Sequence, residues 1–161
     1  ELGLAVVDEV TLSLRRLLRE ERLKAHGAGH IAIHSSVMMF LLYVRQESRY
    51  FDFLARERLS GSVKIREAIQ REFNHLANDL ATDFRLFPEM QNLPSDDLNM
   101  IANIVVNTAI NWCGEILSLP AEQVRLQYEL SMRAVKQLRL IFVGATHWRS
   151  DQEGQQEAKA S

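Results

Sequence analysis

The feature that most constrains the fold is an apolar residue at every third or fourth position, repeated along nearly the whole chain. The repeat is clearest in a stripe formed by Ile65, Ile69, Phe73, Leu76, Leu80, Phe84 and Phe87. Side chains at this spacing share one face of an α-helix, so the segment is predicted to be amphipathic and helical. Pro88 is expected to end the helix, because proline lacks the backbone N–H that a helix interior uses.

The same spacing predicts further helices on both sides of this one, and we find no convincing strand alternation. The predicted helices run from residue 1 to a break at residues 26–29, and then over about 30–46, 48–58, 62–87, 95–117 and 120–148. Ser48, Ser62 and Ser95 are expected to cap helix starts, and Pro120 suits a first turn. The sequence therefore predicts an all-α, six-helix domain over residues 1–149, with a polar, disordered tail over residues 150–161.

Composition limits the compartment and the class of partner. One cysteine, Cys113, excludes an internal disulfide and fits a reducing compartment, and its apolar neighbours favour an inert packing role. Nineteen basic against 21 acidic side chains give a net charge of −2, which is a poor footprint for a free-standing DNA-binding module. The longest apolar run, Val37 to Val44, is too short for a membrane span. We expect a cytoplasmic protein with no membrane partner.

The last two helices carry more apolar surface than packing on one side requires. The fifth has a broad stripe, and the sixth has two stripes separated by a charged side. This surplus predicts a homodimer across a two-fold axis, although burial of both stripes within one chain is the alternative. The interface is expected to contain Trp112, Ile116, Leu126, Leu130, Ala134, Leu138 and Ile141. Asn99, Asn103, Asn107 and Asn111 recur opposite the stripe of the fifth helix and are expected to face solvent.

Motifs that would indicate catalysis are missing from the sequence, which has no glycine-rich phosphate loop, GxSxG elbow, HExxH or CxxC. His26, His30 and His34 are spaced for a shared helix face, but Gly27 and Gly29 interrupt that helix and no carboxylate lies nearby. Glu72 and His75 form a single Glu-x-x-His step, whereas a di-iron bundle needs a second copy and two more glutamates. We therefore expect no catalytic residue, no metal site and no cofactor.

Large, adaptable side chains crowd the second and third helices and suggest a pocket for an apolar ligand. The candidate ligand-binding residues are Met38, Met39, Leu42, Tyr43, Phe51, Leu54, Arg56, Phe73, Ile101, Val105 and Thr108. Arg56 belongs with Arg58, Lys64 and Arg66 to a basic cluster around the turn at Ser60, which could hold an anionic group or simply be a solvated turn. A filled core is the alternative to a pocket for the apolar members.

Three short segments carry a resemblance to a known family. The chain opens with Glu-Leu-Gly-Leu and continues with Val-Val-Asp-Glu at residues 6–9. Residues 53–58 (Phe-Leu-Ala-Arg-Glu-Arg), with Gly61-Ser62 and residues 65–69, form a central signature, and residues 144–148 (Gly-Ala-Thr-His-Trp) form a late one. Together they resemble the TetR-type repressors that control unsaturated fatty acid synthesis and fatty acyl desaturase genes in bacteria.

The resemblance implies a homodimer in which the last two long helices of each chain form a four-helix bundle. It also implies a ligand-sensing domain for a long-chain acyl-CoA, and operator DNA bound only through an N-terminal helix-turn-helix domain that is absent from this sequence. The alternatives are a TetR-type regulator of another small apolar ligand, a small all-α enzyme or metal carrier, and a purely structural dimerisation module with a closed core.

Overall fold

A computed structural model describes residues 2–25 and 29–149, without the side chain of Leu2. Within these ranges the chain forms six α-helices and no strand, which confirms the all-α fold. The helices are α1 (Leu2–Lys24), α2 (Gly29–Gln46), α3 (Ser48–Ser60), α4 (Val63–Phe84), α5 (Ser95–Ser118) and α6 (Val124–Thr146). The predicted tail from Ser150 and residues 26–28 of the predicted break at 26–29 lie outside the described residues, whereas Gly29 already begins α2.

Helix α4 shows how the sequence determines an element. Ser62 is the N-cap, and its side chain accepts a hydrogen bond from the backbone N–H of Ile65. The predicted stripe faces the core from Ile65 onward and includes the buried Ile69 and Phe84. The helix ends at Phe84, three residues before the predicted end, and a turn carries Phe87 back into the core.

The other helix boundaries differ from the predicted ones by a few residues. Helices α3 and α5 begin with Ser48 and Ser95 themselves, and the residues before them, Glu47 and Pro94, make no side-chain capping hydrogen bond. Helix α6 begins at Val124, so Pro120 stands in the preceding turn and outside the first helical turn. Gln127 stabilises this turn, because its side-chain amide donates to the carbonyl oxygens of Pro120 and Ala121.

Gly61 is needed where α3 ends. Its backbone N–H donates to the carbonyl oxygen of Glu57, which closes the last turn of the helix. A Cβ atom at this position would lie 2.4 Å from that same carbonyl oxygen. The clash is with backbone and cannot be relieved by a side-chain rotation, so any other residue would displace the turn that leads into α4.

Two hydrophobic clusters build the core. The first receives buried residues from all six helices and includes Val7, Val44 and Phe51. The second lies between α4, α5 and the segment that joins them, and includes Phe84, Met90 and Leu98. Helix α2 packs against α1, α5 and α6, so it links the two clusters. This central position agrees with its apolar composition.

Helix α5 is long and apolar enough to cross a membrane by length and composition alone. In the fold it packs against α2, α3, α4 and α6, and Asn99, Asn103, Asn107 and Asn111 are exposed along its outer side. A central helix of a folded domain meets the same criteria, so this helix does not indicate a membrane protein.

Candidate functional site

A cavity of about 90 Å³ opens where the two hydrophobic clusters meet. One water molecule needs roughly 10–15 Å³ of such space, so the cavity is several times larger than the space that one water molecule needs. It is the feature of the described residues best suited to hold a small molecule.

The walls of the cavity come from every helix except α3, together with the segment that joins α4 to α5. The lining residues are Leu18, Arg22, Gly29, Ala32, Ile33, Ser36, Val37, Phe40, Leu76, Leu80, Phe84, Phe87, Met90, Ile101, Val105, Val106, Ala109, Trp112, Leu138, Ile141 and Phe142. Nearly all of these side chains are hydrocarbon or aromatic. Such a lining favours an apolar ligand, because burial of apolar surface drives its transfer from water.

Helix α2 presents a face to the cavity on which small residues alternate with large ones. Gly29, Ala32 and Ser36 alternate there with Ile33, Val37 and Phe40 at helical spacing. At Gly29 an added Cβ atom would lie 2.7 Å from the ring of Phe142, so α6 approaches α2 closely at this point. The small side chains leave open the space that larger ones would fill.

Aromatic rings form two sides of the cavity. Phe87 and Phe142 meet edge to face with ring centroids 5.7 Å apart, and Phe40 meets Trp112 in the same way at 6.4 Å. The indole N–H of Trp112 donates to the side-chain oxygen of Gln137 at 2.6 Å, so its one polar atom has a partner. Ring pairs of this geometry stabilise the walls beyond the area that they bury.

A buried ion pair stands in the wall between α1 and α4. The Nε and Nη2 atoms of Arg22 lie 2.9 Å and 2.6 Å from Oδ2 of Asp83, and both side chains are almost fully buried. Toward the other end of the same two helices, Arg15 pairs with Asp79 at 2.6 Å and lies 3.8 Å from Glu72. These contacts fix the position of α1 along α4.

Two of the predicted ligand-binding residues, Ile101 and Val105, line the cavity. The other predicted residues lie elsewhere in the fold. Phe51 and Leu54 are buried in the first cluster, and Tyr43 and Phe73 pack at its edge. Met38, Leu42 and Arg56 are exposed, and Met39 and Thr108 are half-buried outside the cavity wall.

Several of these predicted residues have structural contacts instead. The hydroxyl of Tyr43 donates to the carbonyl oxygen of Val10, and burial raises the pKa of this phenol above its usual value. Thr108 donates to the carbonyl oxygen of Ile104. In the basic cluster, Arg56 donates to the carbonyl oxygen of Asp52 within α3, and Arg66 donates to the carbonyl oxygen of Gly61 in the turn.

The missed cavity residues of α2 share one face of that helix. Phe40 and Val37 point about 100–160° away from the predicted Met38 and Met39 around α2, and Ser36 points about 160° away from Met38. The prediction selected residues by their size and flexibility, whereas the fold uses the face on which small residues recur. Met90 lies in the segment after α4, where no periodicity signals burial.

Most residues predicted for a dimer interface are buried within the chain. Trp112, Ile116, Leu130 and Ala134 lie in the first hydrophobic cluster. Leu138 and Ile141 line the cavity, and Leu126 is exposed. The inner sides of α5 and α6 are thus occupied by the chain's own core, and any partner would meet the side chains on their outer faces.

The histidines considered as metal ligands do not gather with other ligands in the described part of the chain. His30 and His34 are exposed on α2, and His26 lies outside the described residues. His75 and Glu72 are 3.1 Å apart, but Glu72 is already engaged with Thr11 and Arg15. Among residues 2–25 and 29–149, no three His, Cys, Asp or Glu side chains are grouped to hold a metal ion.

Comparison with known families gives a match over most of the fold. Residues 30–144 match the family model described as "Tetracyclin repressor-like, C-terminal domain". The matched range extends from the first turn of α2 nearly to the end of α6, and it includes the cavity walls contributed by α2, α4, α5 and α6.

Proposed function

Because the chain belongs to the family of tetracyclin repressor-like C-terminal domains, we propose that its cavity is the effector site of a transcriptional repressor. Domains of this family are regulatory and non-enzymatic, and they typically bind small ligands and dimerise. The effector that we propose is a long-chain acyl-CoA whose acyl chain enters the cavity. The regulated genes would be those of fatty acid synthesis or desaturation.

The apolar cavity is the observation that carries this proposal. Its lining of aliphatic and aromatic residues suits a hydrocarbon chain and offers little to a polar metabolite. The resemblance of residues 53–58 and 144–148 to repressors of fatty acid genes narrows the apolar ligand to an acyl group.

The mechanism that we propose is a population shift. Helix α1 contributes Leu18 and Arg22 to the cavity wall, and in the whole repressor it would lead from an N-terminal DNA-reading domain. A ligand changes operator affinity only if it binds two arrangements of the protein with different affinities. An acyl chain that fills the cavity would favour the arrangement in which α1 packs against α2 and α4 as it does here.

The outer faces of α5 and α6 support the dimer that we propose. Large apolar side chains are exposed there, namely Met100 and Ile104 on α5 and Tyr128, Leu140 and Val143 on α6. Exposed apolar side chains of this number on two adjacent helices are typical of a surface that another molecule covers. Pairing two copies through these helices would give the four-helix arrangement expected from the resemblance.

Melting temperatures test the acyl-CoA assignment. We expect palmitoyl-CoA or oleoyl-CoA to raise the melting temperature of the chain, because a ligand that binds only the folded state stabilises it. In the Ala109→Leu variant the added side chain would fill the cavity, so we expect a more stable protein that no longer responds. Ala55→Leu, an exposed change on α3, serves as the control and should respond like the wild type.

An unchanged melting temperature with both acyl-CoAs would contradict the acyl-CoA assignment. Native mass spectrometry of protein purified from cells then separates the alternatives, because a co-purified apolar molecule of another class identifies a regulator of that ligand. Elemental analysis showing stoichiometric iron or zinc would instead indicate a metal carrier.

A further inference from the structure

The cavity is smaller than the ligand class proposed for it. Its volume is about 90 Å³, whereas an apolar protein cavity of roughly 150 Å³ holds one benzene molecule. A long acyl chain has more than twice as many carbons as benzene, so it does not fit the cavity in the arrangement seen here. One wall must move, and the wall that moves most easily determines how long a ligand can be.

The helical walls of the cavity are joined to one another by buried polar contacts. Helix α1 is held to α4 by the ion pair of Arg22 and Asp83, in which two nitrogens lie 2.6 Å and 2.9 Å from one carboxylate oxygen. Helix α5 is held to α6 by the indole N–H of Trp112, which donates to the side chain of Gln137 at 2.6 Å. Separating either pair of helices would leave a buried polar group without its partner, which is costly.

The remaining wall is the non-helical segment 85–94, which joins α4 to α5. It contributes two side chains to the cavity lining, Phe87 and Met90, which are 3% and 0% exposed. The other side chains of the segment are exposed or half-buried. Moving the segment outward would therefore uncover two apolar side chains and separate no pair of helices. A ligand that took the place of these side chains would restore the buried apolar surface.

The shape of this segment depends on Arg85, which stands at its first position. The guanidinium donates to the carbonyl oxygens of Gln91 and Leu93, at 3.1 Å and 3.4 Å. It also donates to the side-chain oxygen of Ser95 at 2.9 Å. These hydrogen bonds tie the beginning of the segment to its end. All of them are exposed, so water can replace them at low cost when the segment moves.

We propose that the 85–94 segment is the wall that yields to a ligand longer than the cavity, and that Arg85 is the positioning residue that sets the cost of this movement. The inference rests on the proposed role of the cavity as an effector site. Phe87 and Met90 move outward, and the end of the ligand takes their place in the second hydrophobic cluster. The segment, rather than the helices, thus determines the length of ligand that the site accepts.

Two apolar ligands of different size test this inference, with dissociation constants measured by NMR titration. Xenon fits the cavity in its present arrangement, whereas n-butylbenzene is larger than benzene and does not. Arg85→Ala removes the hydrogen bonds that hold the segment in place. It should tighten n-butylbenzene about three- to ten-fold, the worth of one hydrogen bond, and leave xenon unchanged. In the wild type, n-butylbenzene should shift the backbone amide signals of the segment more than xenon does.

Two control variants show whether the effect belongs to this wall. Arg71→Ala removes an exposed arginine from α4 and should change neither dissociation constant. Arg15→Ala removes the ion pair between α1 and Asp79, and so tests whether α1 is the wall that moves. It should leave the affinity for n-butylbenzene unchanged, and a gain equal to that of Arg85→Ala would overturn the proposal.

The other outcomes separate this inference from the proposed function. If xenon binds but Arg85→Ala does not tighten n-butylbenzene, or tightens both ligands equally, the yielding segment is overturned and a small apolar effector site remains. If neither ligand binds the wild type, the effector site itself is overturned and the inference with it. Arg85 is exposed, so Arg85→Ala is expected to fold, and circular dichroism checks this.

Discussion

At the scale of single residues, the buried pair of Arg22 and Asp83 is the contact whose substitution is expected to destabilise the fold most. Each group is desolvated, and each compensates the charge of the other. Asp83 was not singled out from the sequence, although it lies on α4 between Leu80 and Phe84 of the apolar stripe. Its partner could not be predicted, because Arg22 is 61 residues away and only the packing of α1 on α4 brings the two together.

Removing Asp83 should therefore destabilise the protein strongly. We expect Asp83→Ala to lower the free energy of unfolding by about 3–5 kcal/mol, since it leaves a buried guanidinium unpaired. The matched control is Asp79→Ala, whose pair with Arg15 is partly exposed and should contribute about 1 kcal/mol or less. Urea denaturation followed by circular dichroism measures both. Equal losses for the two variants would contradict the buried-pair interpretation.

The lone cysteine gives a prediction about pH. Burial raises the pKa of the Cys113 thiol from 9.0 to about 12, so the thiolate is scarce at neutral pH. A raised folded-state pKa stabilises the fold below pH 9, and this contribution is lost as the pH rises from about 9 toward 12. The thiol–disulfide reagent DTNB should react at pH 8 about 100-fold more slowly with the folded protein than with protein in guanidinium chloride. Similar rates in the two states would show an exposed, ordinary thiol.

At the scale of the helices, the sequence predicted the existence and order of all the described elements because each has its own apolar periodicity. The first and last residues of the helices were predicted less well. Ser62 caps α4 as expected, whereas α6 begins after Pro120 because a turn held by Gln127 precedes it. A hydrogen bond between a side chain and a turn carbonyl produces no repeating pattern of residues, so the sequence does not predict it.

The Ser62 cap can be tested by a single substitution. We expect Ser62→Ala to lower the free energy of unfolding by roughly 1 kcal/mol, because the N–H of Ile65 loses its acceptor. Ser60→Ala is the neighbouring control, since that hydroxyl only donates to the Arg56 carbonyl at an exposed position. Thermal denaturation compares the two, and a loss as large for Ser60→Ala would count against the cap.

At the scale of the whole molecule, the cavity depends on a relation among helices that no single segment encodes. Ile101 and Val105 were predicted from their apolar stripe on α5, and they do line it. The face of α2 that completes it could be recognised only once α1, α5 and α6 were packed around that helix. Side-chain size alone directed the prediction to Met38 and Leu42, which the fold leaves exposed.

The proposed dimer makes a prediction at the same scale. Leu140 is 74% exposed on the outer face of α6. We expect Leu140→Glu to convert a dimer into a folded monomer, because two copies would bring the introduced carboxylates into an apolar interface. Leu59→Glu is the control, since Leu59 is 82% exposed at the end of α3, away from that face. Light scattering after gel filtration gives the masses, and a wild-type monomer or a dimeric Leu140→Glu variant would contradict the interface.

The proposed effector site requires that the cavity is an apolar space that a ligand can enter. Diffraction from a crystal of the wild type pressurised with xenon tests this most directly, because xenon binds in apolar cavities that water leaves empty. We predict a strong xenon peak among Ser36, Val105 and Phe142, and no such peak in crystals of Ala109→Leu. A wild-type crystal with xenon bound only on its surface, and with side chains filling this space, would contradict the account.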